Sequence, residues 1–339
     1  MSWPSWLPLR ETLRPMSPYG APQVPAVAAL NTNENPYSPS PALQKAITDA
    51  VAKVAVDLNR YPDRDATILR TKLATYINEG NGTSFTLDNI WAANGSNEII
   101  QSIFLAFAQG AVLGFTPSYS MHPLIAKTTG AQWIDGKRNA DFSLNTTDAV
   151  SEILKSKPTL TFITTPNNPT GGAVTLAEIQ KLADAAKDVG GLLVVDEAYA
   201  EFSQEVSAVT LIANNPHLIV IRTMSKAFAF AGARLGYLVS DVAVKDAMMI
   251  VRLPYHLSAL TQAAAQVAID HRAELLSGVS TLIKARGQVV QALHDMGLTT
   301  ITSSANFVLF TGFKQDAPQL WAALLEKGVL IRDVGLSGY

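Results

Sequence analysis

The sequence contains no cysteine. This excludes disulfide-stabilised scaffolds, thiolate catalysis and cysteine-ligated zinc or iron–sulfur centres. A large excess of charge of one sign is also absent, because 26 Lys and Arg residues nearly balance 28 Asp and Glu residues, for a formal net charge of -2. Without a basic block, the chain lacks the electrostatic footprint that nucleic-acid or anionic-membrane binding requires. We therefore expect neither nucleic acid nor a membrane as a partner.

Long hydrophobic runs are missing as well. No stretch approaches the roughly 18 consecutive apolar residues of a membrane helix, and prolines interrupt the first 30 residues, where a signal peptide would have its apolar core. We expect a soluble, cytoplasmic protein. The histidines show no metal-ligand spacing, so we expect no metal and interpret each as a structural or surface residue; they are His122, His217, His256, His271 and His294.

The chain of 339 residues exceeds the usual size of a single core, which predicts more than one domain. Half of its 18 prolines fall within residues 1–41, so that segment is neither a long helix nor a central strand. Its aromatic residues predict an arm that packs against the body or a partner subunit. We expect an N-terminal arm over residues 1–40, a large domain over 41–245 and a small C-terminal domain over 246–339.

Short apolar runs alternate with helical patterns between about residues 85 and 240. Continuous apolar runs are typical of parallel strands covered on both faces. Thr175 and Glu178 form a possible capping box for one intervening helix, which Gly190-Gly191 would close. The pattern predicts an α/β fold with a mostly parallel central sheet, and it places ligand chemistry after the carboxyl ends of the strands. The predicted strands are residues 112–115, 160–165, 192–195, 218–221 and 237–239.

After residue 240 the pattern changes to long helices at about residues 258–270, 273–296 and 316–327, with extended segments at 306–310 and 329–332. This predicts a smaller α+β lobe.

The sharpest chemical signal is Lys226, which follows the predicted strand 218–221 and is flanked by Thr223 and Ser225. Eight residues later comes Arg234, within a glycine-containing segment. A lysine held neutral in a dry site can form a Schiff base, while hydroxyls and an arginine can hold a phosphate. A lone loop lysine is more often a solvated charge, so this segment alone does not decide the function.

Three further segments gain meaning beside Lys226. Asn168 lies in Thr-Pro-Asn-Asn-Pro-Thr-Gly after a strand and can donate to a ligand oxygen, although an Asn-Pro turn also explains it. Asp196 ends an apolar strand, where it is either a helix cap or the partner of a protonated ring nitrogen. Ser96 and Asn97 begin an amphipathic helix whose amides can receive a phosphate or be capped in the ordinary way. Together the four segments supply what pyridoxal phosphate (PLP) requires as an electron sink.

Three segments of the sequence resemble, in the same order, the motifs of the fold-type I PLP aminotransferases. They are Thr-Pro-Asn-Asn-Pro-Thr-Gly, Asp-Glu-Ala-Tyr and Ser-Lys-Ala-Phe-x-x-Ala-Gly-x-Arg-Leu-Gly-Tyr. The segments Asn-Thr-Asn-Glu-Asn-Pro-Tyr, Asn-Arg-Tyr-Pro and Val-Leu-Ile-Arg-Asp make the chain similar, more specifically, to the histidinol-phosphate aminotransferases. The resemblance runs from about residue 10 to the last residue. It implies a large PLP domain, a small domain and a homodimer with shared active sites.

The resemblance also implies a role for each matching residue. Lys226 would be the Schiff-base lysine and proton carrier, and Asp196 would keep the pyridine nitrogen protonated. Asn168 and Tyr199 would bond the ring's 3′-oxygen, and Tyr119 would stack on the ring. The implied phosphate ligands are Ser96, Asn97, Thr223, Ser225 and Arg234, with Tyr61 contributed by the neighbouring subunit. Tyr19, Asn33 and Arg332 would line the substrate pocket.

The reaction that this resemblance implies is transamination between L-histidinol phosphate and 2-oxoglutarate, giving imidazole acetol phosphate and glutamate. An aromatic amino-acid aminotransferase is an alternative with the same cofactor residues, and a non-catalytic PLP-binding protein is a third. The family continues into a Leu-Arg-x-Thr-x-Gly segment whose arginine anchors a carboxylate, and this sequence stops before it. We expect its loss to weaken substrate binding more than PLP binding.

Overall fold

The structure is a computed structural model and describes residues 3–339. Its helices are α1 Pro41–Ala55, α2 Thr67–Asn81, α3 Ser96–Phe107, α4 Met121–Thr129, α5 Thr146–Ser156, α6 Leu176–Asp188, α7 Val242–Val251, α8 Ala259–Asp270, α9 Arg272–Asp295 and α10 Ala317–Glu326. Its strands are β1 Ala28–Ala29, β2 Ile90–Ala93, β3 Ala111–Thr116, β4 Gln132–Lys137, β5 Leu160–Thr164, β6 Leu192–Asp196, β7 Leu218–Thr223, β8 Gly236–Val239, β9 Thr299–Thr300, β10 Phe310–Thr311 and β11 Val329–Leu330.

The central sheet has the strand order β2-β8-β7-β6-β5-β3-β4. Strands β4, β3, β5, β6 and β7 run parallel, and β8 is antiparallel to both of its neighbours. Alternate residues along the strands belong to two different apolar clusters. Val195 and Val220 lie in one cluster, and Val194 and Ile219 lie in the other. Both faces of the sheet are therefore covered, and the predicted mostly parallel α/β sheet is confirmed.

The five predicted strands all form, and each end lies within two residues of its predicted position. Two further strands of the sheet, β2 and β4, were not predicted. Strand β4 lies at the edge of the sheet and carries Asp135 and Lys137 on exposed positions, so it lacks the continuous apolar pattern of a central strand. The prediction of an extended run over residues 306–310 was wrong for most of its length, because only Phe310 joins a strand.

The helix predicted after Thr175 begins as expected. The Thr175 side chain accepts the Glu178 N–H, and Glu178 Oε2 accepts the Thr175 N–H at 2.9 Å, so both halves of the capping box form. The helix ends at Asp188, and Gly190 follows with a φ of +73°. Predicted helices at residues 258–270, 273–296 and 316–327 correspond to α8, α9 and α10.

The proline-rich arm packs against the body, as predicted. Asn35 Nδ2 donates to the Ala227 carbonyl at 3.2 Å, and the Ser40 N–H donates to Glu274 at 2.9 Å. Strand β1 in the arm pairs parallel with β11 near the end of the chain. The predicted domain boundaries stay a prediction: α7 runs across residue 245, and α8 packs against α1 and α2.

Over residues 3–339, no helix combines the length and the apolar character needed to cross a membrane.

Candidate active site

Three loops meet at the carboxyl edge of the sheet because β5, β6 and β7 are parallel neighbours. Thr164 pairs with Asp196, and Asp196 pairs with Ile221. The segments that follow these strands carry Asn168, Tyr199 and Lys226, which are far apart in sequence. The sheet therefore brings the predicted catalytic segments to a single edge.

The Tyr199 hydroxyl accepts hydrogen bonds from two side-chain amides. Asn33 Nδ2 donates to it at 3.1 Å and Asn168 Nδ2 at 3.2 Å. Tyr199 is buried, and the loss of solvation raises its pKa to about 12. The hydroxyl stays protonated at neutral pH, so it can donate its own proton to a ligand oxygen.

Lys226 lies beside this cluster. Its Nζ donates to the Thr32 carbonyl at 2.7 Å and lies 5.8 Å from the centroid of the Tyr199 ring. Burial lowers the pKa of Lys226 to about 8; the nearby Arg234 charge acts in the same direction, and Glu34 opposes it. The amine is therefore far easier to deprotonate than that of a surface lysine, as a nucleophilic lysine requires.

Asp196 is only 2% exposed, and His122 lies next to it. The carboxylate accepts the Ala198 N–H at 3.2 Å, and its other oxygen lies 3.3 Å from His122 Nε2. His122 was not predicted to be part of the site, because the spacing of the histidines suggested no metal. Its position three residues after Tyr119, in helix α4, was the signal that could have identified it.

A tight cradle forms where α3 begins. A Cβ atom added to Gly236 would lie 2.5 Å from the Ser96 backbone nitrogen, and one added to Gly95 would lie 2.6 Å from Arg234 Nη2. Gly236 also pairs with Thr223 across β7 and β8. The helix N-terminus, the Arg234 guanidinium and the Thr223 hydroxyl thus lie close together, because Gly95 and Gly236 have no side chains that would keep them apart. This group of donors is suited to an anion.

The Thr223 and Ser225 hydroxyls are 3.0 Å apart, and both residues are buried. Tyr119 donates to Asn97 Oδ1 at 3.1 Å, and its ring lies edge-on to His122 with centroids 5.5 Å apart. Burial raises the pKa of the Tyr119 hydroxyl. These contacts link the predicted ring-stacking residue to the start of α3.

The predicted substrate residues divide into two groups. Asn33 belongs to the Tyr199 cluster. Arg332 lies over the Tyr19 ring at 5.9 Å and donates to its hydroxyl at 3.4 Å, and Ser120 donates to the same hydroxyl at 3.3 Å. Tyr19 is half exposed, so this second group lies at the surface.

Tyr61 is placed differently from the other predicted residues. It is 79% exposed and stacks on Tyr255 with ring centroids 4.4 Å apart. The structure therefore places it on the surface, and its predicted role stays a prediction that requires a second subunit.

A buried ion-pair network that was not predicted from the sequence lies directly beside the site. Arg222 Nη1 donates to Glu197 at 2.7 Å and Arg222 Nη2 to Glu201 at 2.8 Å. Glu197 follows Asp196, and Arg222 precedes Thr223. The network therefore fixes the ends of β6 and β7 to each other; its signal was an arginine inside an otherwise apolar strand.

Across the described residues 3–339, His, Asp and Glu side chains do not gather in the groups of three or more that a metal site would need.

Known proteins resemble this chain over nearly its whole length. The family model for class I and II aminotransferases matches residues 25–338. The chain is 52% identical over 336 residues to a protein of Mycobacterium sp. (strain JLS) named histidinol-phosphate aminotransferase, covering 98% of this chain and 88% of that protein. It is similarly 52% identical to the protein of that name from Mycobacterium marinum, of which it covers 87%.

A solved structure, that of a putative histidinol-phosphate aminotransferase from Erwinia carotovora atroseptica, has a TM-score of 0.81 at 25% identity, covering 92% of this chain and 90% of that one. Both the family model and the close relatives extend over nearly the whole chain. The chain belongs to the family of class I and II aminotransferases.

Proposed function

We propose that this chain is a PLP-dependent transaminase that converts L-histidinol phosphate and 2-oxoglutarate into imidazole acetol phosphate and glutamate. The proposal rests on Lys226, a partly buried amine with a lowered pKa, beside Tyr199 and Asn168 at the carboxyl edge of a parallel sheet. Its substrate comes from the relatives, which are named for histidinol phosphate at 52% identity.

The residues present fit PLP. The close approach of the Ser96 amide and the Arg234 guanidinium, which Gly95 and Gly236 allow, suits a phosphate. Asp196 is a buried carboxylate, which is costly to desolvate unless it meets a positive charge such as a protonated pyridine nitrogen. When bound, PLP supplies the electron sink that withdraws charge from the substrate's reacting carbon.

The protein supplies binding, orientation and proton transfer. Lys226 would be both the amine that holds the cofactor and the base that carries a proton on and off the substrate carbon. The Tyr199 hydroxyl and the Asn168 amide would donate hydrogen bonds to the ring's 3′-oxygen. Asp196, which His122 and the Ala198 amide orient, would keep the ring nitrogen protonated. Tyr119 would pack against the ring, and Thr223, Ser225, Asn97 and Arg234 would complete the phosphate site.

The substrate preference is tested by comparing kcat/KM for histidinol phosphate and phenylalanine with 2-oxoglutarate as acceptor. We expect histidinol phosphate to be preferred, with Tyr19, Asn33 and Arg332 binding it. A preference for phenylalanine would identify an aromatic aminotransferase. Bound PLP without turnover of either donor would identify a non-catalytic protein. We also keep a cytoplasmic location as a prediction, which cell fractionation tests.

We further propose that the chain is a homodimer with shared sites. Two neighbouring segments expose large apolar side chains, and Arg252 joins them by donating to the Arg64 carbonyl at 2.8 Å. These exposed side chains are Val56, Leu58, Tyr61, Ile250, Leu253 and Tyr255. Exposed apolar side chains on neighbouring segments, with Tyr61 stacked on Tyr255, favour burial against a second copy, and a two-fold axis would carry Tyr61 towards the partner's phosphate site.

Subunit mixing tests whether Tyr61 acts across the dimer. Tyr61→Ala and Lys226→Ala proteins are each inactivated by one change, and the two are unfolded and refolded together. If Tyr61 acts on the partner's site, mixed dimers contain one site with both natural residues, and roughly a quarter of the wild-type activity returns. No recovered activity in a mixture that sedimentation shows to contain mixed dimers would contradict the shared site.

A further inference from the structure

Asn167, the neighbour of Asn168, is completely buried and uses its whole side-chain amide. Its Nδ2 donates to the Pro117 carbonyl at 3.0 Å and to Thr170 Oγ1 at 2.8 Å. Its Oδ1 accepts from Ser118 Oγ at 3.0 Å and from Arg138 Nη2 at 3.3 Å. A primary amide has two N–H donors and two acceptor lone pairs, so all of its hydrogen-bonding capacity is used at 0% exposure.

These hydrogen bonds join two loops that carry predicted cofactor residues. We call residues 117–120 the Tyr119 loop and residues 165–172 the Asn168 loop. Pro117 and Ser118 directly precede Tyr119, and the backbone of Asn167 is held within its own loop by bonds to Gly171 and Gly172 at 2.6 and 2.7 Å. One side chain therefore links the backbone that presents the Tyr119 ring to the backbone that presents the Asn168 amide.

The linkage extends to the sheet. Ser118 Oγ lies 3.0 Å from Thr164 Oγ1, at the end of β5. Arg138, directly after β4, also donates to the carbonyl of Phe115 at 3.1 Å, at the end of β3. Burial lowers the pKa of Arg138 to about 10. Its neutral acceptors, the Asn167 amide among them, satisfy a charge that would be costly if left without partners.

We propose that Asn167 is a positioning residue that fixes the Tyr119 loop relative to the Asn168 loop, and so sets how firmly the ring and 3′-oxygen of the cofactor are held. The inference rests on the proposed function, because it assumes that Tyr119 and Asn168 contact PLP. Asn167 itself acts through its neighbours. Removing its amide should loosen both loops together while leaving the rest of the sheet in place.

The main variant is Asn167→Leu, which keeps the volume and removes the amide. The matched control is Asn215→Leu: Asn215 is also buried and exchanges hydrogen bonds with Gln180 at 2.9 and 3.0 Å, but it lies at the amino end of β7, opposite the site. Both variants lose a buried amide, so both should lose stability. Only the first should affect the cofactor site.

In the holoenzyme, we expect Asn167→Leu to weaken PLP binding about tenfold, as the loss of ordered hydrogen bonds allows. The pH midpoint of the cofactor's visible absorbance band should rise. A hydrogen bond donated to the ring oxygen draws charge from it and weakens its hold on the proton at the Lys226 nitrogen, so a misplaced Asn168 removes that effect. Asn215→Leu should leave both quantities as in the wild type.

In the cofactor-free protein, amide hydrogen exchange should become faster in the Tyr119 loop and the Asn168 loop of Asn167→Leu, and not in Asn215→Leu. If Asn167→Leu does not fold, Ser118→Ala removes one of the four bonds and should give smaller changes in the same direction. Unchanged PLP affinity, band midpoint and loop exchange in these variants would overturn the inference. A wild type that shows no visible band with PLP would instead overturn the proposed function, whereas the exchange result would still decide whether Asn167 couples the loops.

Discussion

The ionisation of Lys226 gives the sharpest quantitative prediction, because burial lowers its pKa from 10.5 to about 8. At pH 7 a lysine with the lower value is free amine in roughly a tenth of molecules, against roughly 3 in 10,000 for the ordinary value. The reactive fraction is therefore about 300-fold larger. In the cofactor-free protein, we expect the initial rate of reaction between Lys226 and PLP to rise with pH and to reach half its maximum near pH 8.

The assay mixes cofactor-free protein with PLP for short times at pH 6 to 11, reduces the product with borohydride and quantifies the modified peptides by mass spectrometry. Lys155, which is exposed on α5, serves in the same samples as a measure of how the reagent reacts with surface amines. The variant Glu34→Gln adds a signed test. Because the Glu34 charge raises the pKa of Lys226, its removal should shift the midpoint to lower pH.

A midpoint for Lys226 near 10.5, the value of an ordinary lysine, would refute the reasoning, because it would mean that the amine is well solvated in solution. An adduct located at another lysine would refute the assignment of the nucleophile itself. A midpoint that stays near 8 in Glu34→Gln would leave burial as the cause and remove Glu34 from the explanation.

Three further predictions concern the surroundings of Lys226. Arg222→Met leaves Glu197 and Glu201 buried without their cation, so the free energy of unfolding measured in urea should fall by about 3–5 kcal/mol. A decrease below about 1 kcal/mol would show that stability does not depend on the network. Gly236→Ala places a methyl group 2.5 Å from the Ser96 nitrogen and should weaken PLP binding at least tenfold. Gly232→Ala, whose methyl group would have no atom within 4 Å, should leave PLP binding unchanged. Equal effects of the two substitutions would contradict the phosphate cradle. His122→Phe keeps an aromatic ring beside Phe162 but removes the side-chain partner of Asp196, so kcat should fall about tenfold with little change in PLP affinity. A kcat equal to that of the wild type would exclude an orienting role for His122.

The sequence alone determined the parts of this protein that depend on local pattern. Apolar runs identified the buried strands β3, β5, β6, β7 and β8, because strands covered on both faces need apolar side chains throughout. The capping box at Thr175 could also be predicted from the sequence, because both of its partners lie within one helical turn. The ordered motifs around Asn168, Asp196 and Lys226 identified the family that the comparisons then showed.

Only the tertiary structure decided which side chains meet. Asn33 and Tyr199 are 166 residues apart, and His122 and Asp196 are 74 apart, so no spacing rule connects them. The edge strand β4 was missed because its solvent-facing side chains remove the apolar pattern. Strand order, and with it the approach of one loop to another, is set by packing of the whole sheet. The lowered pKa of Lys226 and the saturated amide of Asn167 exist only because folding surrounds them with distant residues that exclude water.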